Sequence, residues 1–401
     1  MPGSCNKISR GSGYGGEPWA DRKLSNYIIR AQEPFNAESR TEDLVQSFVT
    51  PTDSHFRRNH GPIPDIDGRE WTMSIDVCTS APAVPRTTQT LGLRDLEAHP
   101  QFEVTAVLEC AGNRRDGLKA IKPVNGVTWG AGTASNAHWG GCRLRDVLAA
   151  AGVPTDLSDP FYSVARHVEF AAYGEASDDV HYASSIPVDW VMNPLNMVLV
   201  ATAMNGKPLL RDHGFPARIV APGIIGARWV KWLKGIRVQD QESACYYQQR
   251  DYKILPPMAG GSNCDEYWSR FPALMELSVQ SAICRPARGE CLQIGRPYVV
   301  RGYALTGGGR AVDRVEVSLD DGATWDLAEL HTVQAAAAKH WAWVLWSYHM
   351  ASVPPQCTVA SRAWDSGGNV QPSAAVWNYR GVMNNSVFRI SAQTTAGPAK
   401  I

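Results

Sequence analysis

The 401-residue chain reads as a mixed α/β unit followed by an all-β unit. Three observations predict that order. From about Phe48 to Val238 short apolar runs alternate with Gly/Pro turns and include one well-punctuated helix. Between about Asp240 and Leu277 the pattern breaks up around Pro256-Pro257 and Gly260-Gly261, as a connection between domains does. Beyond Val279 the apolar residues alternate in short runs separated by Gly-rich turns, over roughly 120 residues, the signature of a small β-sandwich.

In chain order, residues 1–30 are Gly- and Ser-punctuated without an apolar period and are expected to form a flexible leader. Phe102, Val104, Ala106 and Leu108 alternate on one face of a strand that runs into Cys110-Ala111-Gly112-Asn113, so Cys110 stands where a strand opens into a Gly turn. Leu144, Val147, Leu148 and Ala151 share one helical face, ended by Gly152 and Pro154. A further strand over Ala217–Ala221 leads through Pro222-Gly223 to Gly226-Ala227-Arg228-Trp229-Val230-Lys231, an irregular segment of the kind that aims backbone donors at a ligand. In the β unit, Val315, Val317 and Leu319 alternate up to the hairpin-type turn Asp321-Gly322, and Trp341, Trp343 and Leu345 alternate in the next strand. The resulting boundaries are 1–30 for the leader, 31–265 for the α/β unit and 266–401 for the β unit.

Composition narrows the function. Lys+Arg and Asp+Glu number 39 each, so no global field draws the chain to nucleic acid or to an anionic membrane surface, and any anion site must be local. No stretch has the roughly 18 consecutive apolar residues of a membrane helix, and the opening residues lack a secretory apolar core, so the chain is expected to be soluble and intracellular. The nine cysteines are odd in number, scattered, and without metal-finger spacing, which favours reduced thiols.

Local basic clusters carry the chemistry. Arg114 and Arg115 follow Cys110 and would favour its thiolate, for metal ligation or nucleophilic attack. The residues alone equally allow a buried structural thiol beside two surface arginines, or the thiol of a Cys-His protease. Arg57-Arg58-Asn59-His60 precedes a Gly-Pro turn, Asp212-His213-Gly214 stands close to Arg218, and Arg228 lies three residues before Lys231. Singly each is a solvated loop or a hydrogen-bonded core position. Together in one domain they suit a phosphorylated cofactor or a small oxyanion, which guanidinium forks bind with paired donors.

Several of these segments resemble the molybdenum domain of the sulfite oxidase family: Glu109-Cys110-Ala111-Gly112-Asn113-Arg114-Arg115, Trp129, Asn136-Ala137-His138-Trp139-Gly140-Gly141, His213-Gly214-Phe215-Pro216-Ala217-Arg218, Gly226 to Trp232 and Arg250-Asp251-Tyr252-Lys253. Gly307-Gly308-Gly309-Arg310 and Asn369-Val370-Gln371-Pro372 resemble that family's immunoglobulin-like dimerisation domain, so the likeness runs from about Pro34 to Ile390. It implies an α+β molybdopterin-binding domain followed by an all-β immunoglobulin-like sandwich, a homodimer, and oxidation of sulfite to sulfate. It further implies molybdenum bound by the Cys110 thiolate, and cofactor contacts at Phe56, Arg57, Arg58, Asn59, His60, His213, Arg218, Trp229, Val230 and Lys231. The substrate anion maps to Arg58, Arg115, Trp129, Tyr252 and Arg380. Three arginines suit sulfite, and Tyr252 would hydrogen-bond the substrate or pass protons.

Two positions depart from the family pattern. Gly174, with Glu175 beside it, stands where a cofactor-contacting Asp is usual, and Ala203 replaces the Glu before Met204-Asn205-Gly206. Nitrate reductases share the molybdenum domain, but Trp377-Asn378-Tyr379-Arg380-Gly381 has the sulfite oxidase form, whereas Met383-Asn384-Asn385 leans slightly the other way. A cofactor-free scaffold is the third alternative. With no haem expected, the resemblance implies molecular oxygen as acceptor with hydrogen peroxide formed. The ending Ala399-Lys400-Ile401 is similar to a peroxisomal address, the cytoplasm being the alternative location.

Overall fold

The structure, a computed structural model, describes residues 14, 16–79, 87–331 and 338–396. The ending Ala399-Lys400-Ile401 and the first part of the expected leader lie outside the described residues.

Two five-stranded sheets build the first unit. One is ordered Lys207–Pro208, Leu199–Met204, Ala134–Arg143, Gln101–Glu109, with Arg218–Val220 also pairing Leu199–Met204. The other runs Thr87–Gly92, Thr72–Val77, Leu233–Gln239, His167–Ala172, Ala183–Pro187, antiparallel except where Leu233–Gln239 meets Thr72–Val77. The alternation expected at Phe102–Leu108 falls inside Gln101–Glu109, whose Val104, Ala106 and Leu108 are buried. The punctuated helix is Leu144–Ala150, burying Leu144, Val147 and Leu148, and Gly152 leaves it at φ 93°, where a side chain would be strained.

In the second unit a four-stranded sheet (Gln280–Arg285, Tyr298–Leu305, Val344–Met350, Glu329–His331) faces a five-stranded one (Cys291–Gln293, Phe388–Thr395, Cys357–Asp365, Val312–Ser318, Asp326–Leu327). Ile283, Val300 and Trp346 from one sheet and Val315, Val317 and Val359 from the other share one core. The hairpin residues Asp321 and Gly322 both take positive φ, 59° and 97°, the turn chemistry expected of Asp-Gly. Trp341 and Trp343, expected inside a strand, instead precede Val344–Met350. Both indoles are buried outside the core that the two sheets share. Trp341 joins the first unit's core, Trp343 packs at the seam and donates from Nε1 to Phe48 O at 2.9 Å, and Trp341 O accepts from Val107 N at 2.9 Å.

The leader is corrected from Glu17 onward. Arg22 lies between Trp19 and Phe35, with its guanidinium carbon 4.6 and 3.9 Å from the two ring centroids, and ion-pairs with Glu17 at 2.6 Å and Asp212 at 2.8 Å. Tyr27–Ala31 then pairs antiparallel with Asn36–Ser39. A distant carboxylate and an aromatic sandwich order a stretch whose composition suggests none. Every cysteine among the described residues is unpaired, and no helix among them is long and apolar enough to cross a membrane.

Candidate active site

Cys110 follows directly on Gln101–Glu109, its backbone N–H given to Thr133 O at 3.0 Å and its Sγ 3.4 Å from the Gly112 N–H. Only 6% of it is exposed. The turn after it is fixed by Asn113, which donates to Glu109 Oε1 at 2.9 Å and Tyr303 Oη at 3.0 Å and accepts from Thr133 Oγ1 at 2.9 Å. Arg114 then takes φ 61°, which separates the two arginines. Arg114 leaves the thiol and donates to Ser386 O at 2.6 Å, so of the two expected cationic neighbours it is Arg115 that feels Cys110. Arg115 is held by Gly381 O at 3.0 Å and Val127 O at 2.6 Å.

Beside the thiol opens a cavity with about 820 Å³ of atom-free space, open solvent included. Of the residues expected to hold a cofactor, Phe56, Arg58, Asn59, His60, Cys110, His213, Arg218, Trp229, Val230 and Lys231 all line it. Arg57 does not: its Nε pairs with Asp212 at 2.8 Å and its guanidinium lies 4.7 Å over Tyr27. Lys231 donates to Asn59 Oδ1 and, at 2.9 Å, to Asp212 O. Burial, with Arg218 the strongest neighbouring charge against it, pulls the Lys231 ammonium well below its ordinary value. Arg218 donates to His213 O at 3.0 Å and Trp229 O at 3.1 Å, and burial pulls it down to about 9.

Tyr252 also lines the cavity, with its hydroxyl 2.8 Å from His60 Nε2, and burial raises it above the ordinary phenol value against the charges of Arg58 and Arg115. Arg115, Trp129 and Arg380 are not on the cavity lining. They gather on the side of Cys110 and Arg58: Arg380 ion-pairs with Asp251 and feels both Arg115 and Arg58, while burial brings it to about 10. Fully buried Trp129 packs where a Cβ on Gly112 would lie, 2.9 Å from its ring, and its Nε1 has no partner among the described residues.

Sequence reasoning missed three participants. His55 lines the cavity, its Nε2 without a partner among the described residues, and burial holds it down to about 3 and therefore neutral; a lone histidine gives no signal. Asp251, the partner of Arg380, stood inside a quoted motif without a role. Tyr247 packs 4.5 Å from the ring of His60. Gly174 takes φ 87°, which an aspartate would adopt only under strain, and Glu175 lines the cavity beside it.

The donor set fits an anionic, metal-bearing cofactor. Arg58, Arg218 and Lys231 line a cavity whose carboxylates are Glu175 and Asp212, and Asp212 is already engaged by Arg22 and Arg57. No cluster of three or more metal-ligating side chains exists among the described residues, so a metal at Cys110 must bring most of its ligands with it. The orphaned Nε2 of His55 gives such a group a further polar contact.

Comparison with known proteins agrees. The family model "Oxidoreductase molybdopterin binding domain" matches residues 60–247 and "Mo-co oxidoreductase dimerisation domain" matches 271–395. The chain is 41% identical over 381 residues to "Sulfite oxidase, mitochondrial" of Macaca fascicularis, covering 93% of this chain and 67% of that one. It is 39% identical over 402 residues to "Sulfite oxidase" of Arabidopsis thaliana, covering 97% and 98%. It is 37% identical over 387 residues to "Nitrate reductase [NADH] 2" of Phaseolus vulgaris, covering 93% and 43%. The solved sulfane dehydrogenase SoxCD of Paracoccus pantotrophus shares the fold, with a TM-score of 0.73 at 24% identity over 91% of this chain and 86% of that one. The thiol at a strand end, the cationic cavity beside it and a dimerisation domain behind it thus belong to one lineage: the chain is a member of the sulfite oxidase family of molybdenum oxidoreductases.

Proposed function

We propose that this chain oxidises sulfite to sulfate, the two electrons passing to molecular oxygen to give hydrogen peroxide. The balance is sulfite, water and oxygen to sulfate and peroxide. The observation that carries the reading is the convergence of Arg58, Arg115 and Arg380 around the Cys110 thiol, a charge arrangement built for a compact dianion. Cys110 would ligate the metal of a molybdopterin held by Phe56, Arg58, Asn59, His60, His213, Arg218 and the Trp229–Lys231 segment. When bound, that cofactor supplies the oxygen-atom transfer and takes up the two electrons. The three arginines orient and neutralise the anion, Tyr252 offers it a hydroxyl, and Trp129, packed against Gly112, backs the turn that carries Arg115.

The two facing sheets of the second unit support an immunoglobulin-like sandwich that forms a homodimer, for which light scattering at micromolar concentration should give about twice the 43.8 kDa chain mass. A peroxisomal location, where peroxide is readily destroyed, rests on the final three residues; deleting them should move a fluorescent fusion to the cytosol. The function is tested by metal analysis with sulfite-dependent turnover against oxygen, cytochrome c and, in reverse, nitrate. About one molybdenum per chain and sulfite-dependent peroxide support it. Turnover only with cytochrome c removes the oxygen assignment, and nitrate reduction without sulfite oxidation removes the substrate.

A further inference from the structure

His60 stands between two groups of the proposed anion pocket, with Nδ1 3.2 Å from Arg58 Nη2 and Nε2 2.8 Å from Tyr252 Oη. A guanidinium carries only N–H groups and has no lone pair to give, so the first contact is a hydrogen bond only if Nδ1 is bare. In a neutral imidazole the one proton then sits on Nε2. It points at Tyr252, whose oxygen must accept it, and the phenol's own hydrogen is left without a partner among the described residues, on a side chain that lines the cavity.

We infer that His60 is a positioning residue: fixed by Arg58 as the Nε2–H tautomer, it turns the Tyr252 hydroxyl into an obligate donor aimed at the substrate anion. The inference rests on the anion-binding reading above. Doubly protonated imidazolium is opposed by the surroundings: burial above all, and then the charges of Arg58, Arg380, Lys231 and Arg115, hold His60 well below the ordinary histidine value. The ring is also held in place. Ser177 N donates to His60 O at 2.8 Å, and Tyr247 and Tyr182 pack 4.5 and 5.3 Å from the imidazole centroid. Turning the ring over would set carbon atoms against both Arg58 and Tyr252. The consequence is directional: a phenol that spends its oxygen on His60 has one hydrogen-bonding choice left, and an oxyanion is the partner that suits it.

The test reads the tautomer directly. In holoenzyme labelled with ¹⁵N-histidine and saturated with sulfate, the His60 imidazole, assigned by its disappearance in His60→Gln, should show a protonated Nε2 and a bare Nδ1. A proton on Nδ1, or on both nitrogens, overturns the inference. Independently, glutamine places an amide donor where Nε2 stood, whereas asparagine reaches only the Nδ1 position. Of the two variants, His60→Asn should have the higher KM for sulfite, by about 10- to 100-fold at equal molybdenum per chain. Equal KM values in both variants, or the reverse order, contradict the inference. If the wild-type enzyme does not oxidise sulfite at all, the proposed function fails, while the spectroscopic result still decides the tautomer.

Discussion

Asp212→Asn is the substitution for which the structure gives the largest calculable loss of stability. One buried carboxylate serves two buried guanidinium groups: Oδ1 and Oδ2 take Arg22 at 2.8 Å each, and Oδ2 also takes Arg57 Nε at 2.8 Å. Both arginine side chains are fully shielded from water, and the Nη1 and Nη2 atoms of Arg57 already lack partners among the described residues. An amide keeps one acceptor but removes the charge on which Arg57 depends and which Arg22 shares with Glu17. Breaking a buried pair from one side costs about 3–5 kcal/mol, because a charge is left uncompensated. At about 2–4 °C per kcal/mol for a domain of this size, the melting temperature should fall by roughly 6–20 °C. The pH dependence has a definite sign. Burial pushes the Asp212 carboxyl up, but the Arg22 hydrogen bonds and the Arg57 charge outweigh it and leave it below the ordinary value. Its contribution is therefore present above the unfolded carboxyl value and is lost as pH falls through the folded one, so wild type and variant should converge in acid. Scanning calorimetry from pH 7 downward is the assay. A melting temperature within 2 °C of wild type at pH 7 would refute the ion-pair reasoning. Because Asp212 also lines the cavity and its carbonyl holds Lys231, the variant should retain less molybdenum per chain.

Three further outcomes are expected. Burial raises the Glu109 carboxyl to about 7, so the folded chain keeps a proton that the unfolded chain loses; stability should fall by about 3 kcal/mol as pH rises from 4.5 to 7, and Glu109→Gln should flatten that slope in urea titrations. A Cβ on Gly112 would sit 2.6 Å from Arg115 Nη2 and 2.9 Å from the Trp129 ring, so Gly112→Ala should raise the KM for sulfite more than it lowers the melting temperature; an unchanged KM would separate Arg115 from the substrate. Neutralising Arg58, Arg115 or Arg380 singly should raise that KM roughly tenfold to a thousandfold, from about 1.5–3 kcal/mol per charge-assisted bond plus disturbed neighbours, and unchanged steady-state kinetics in all three would remove the pocket.

Periodicity made the frame legible where one local rule governed it. The strand leading to Cys110, the helix Leu144–Ala150 and the Asp321-Gly322 turn each depend on residues within a few positions of one another. What escaped depends on distant partners or on local twist. Arg22 is ordered by Asp212, 190 residues away, which no composition of the first thirty residues encodes. Arg114 and Arg115 are adjacent in sequence, yet a left-handed residue between strand and helix sends one to Ser386 and leaves the other beside the thiol. Trp341 and Trp343 alternate like strand residues but fill the seam between the two units. The cavity residues were placed by resemblance rather than by pattern, since neither spacing nor charge told His60 from His55, or Arg57 from Arg58.

Sulfite turnover and molybdenum content of Cys110→Ser beside wild type decide whether catalysis takes place on a molybdenum held by Cys110 inside this cationic cavity. A hard hydroxyl replaces the soft thiolate while the cationic lining that would hold the pterin is left intact. The account predicts one molybdenum per wild-type chain, with sulfite oxidation abolished in the variant even where the pterin is retained. Full sulfite oxidation by Cys110→Ser would contradict it.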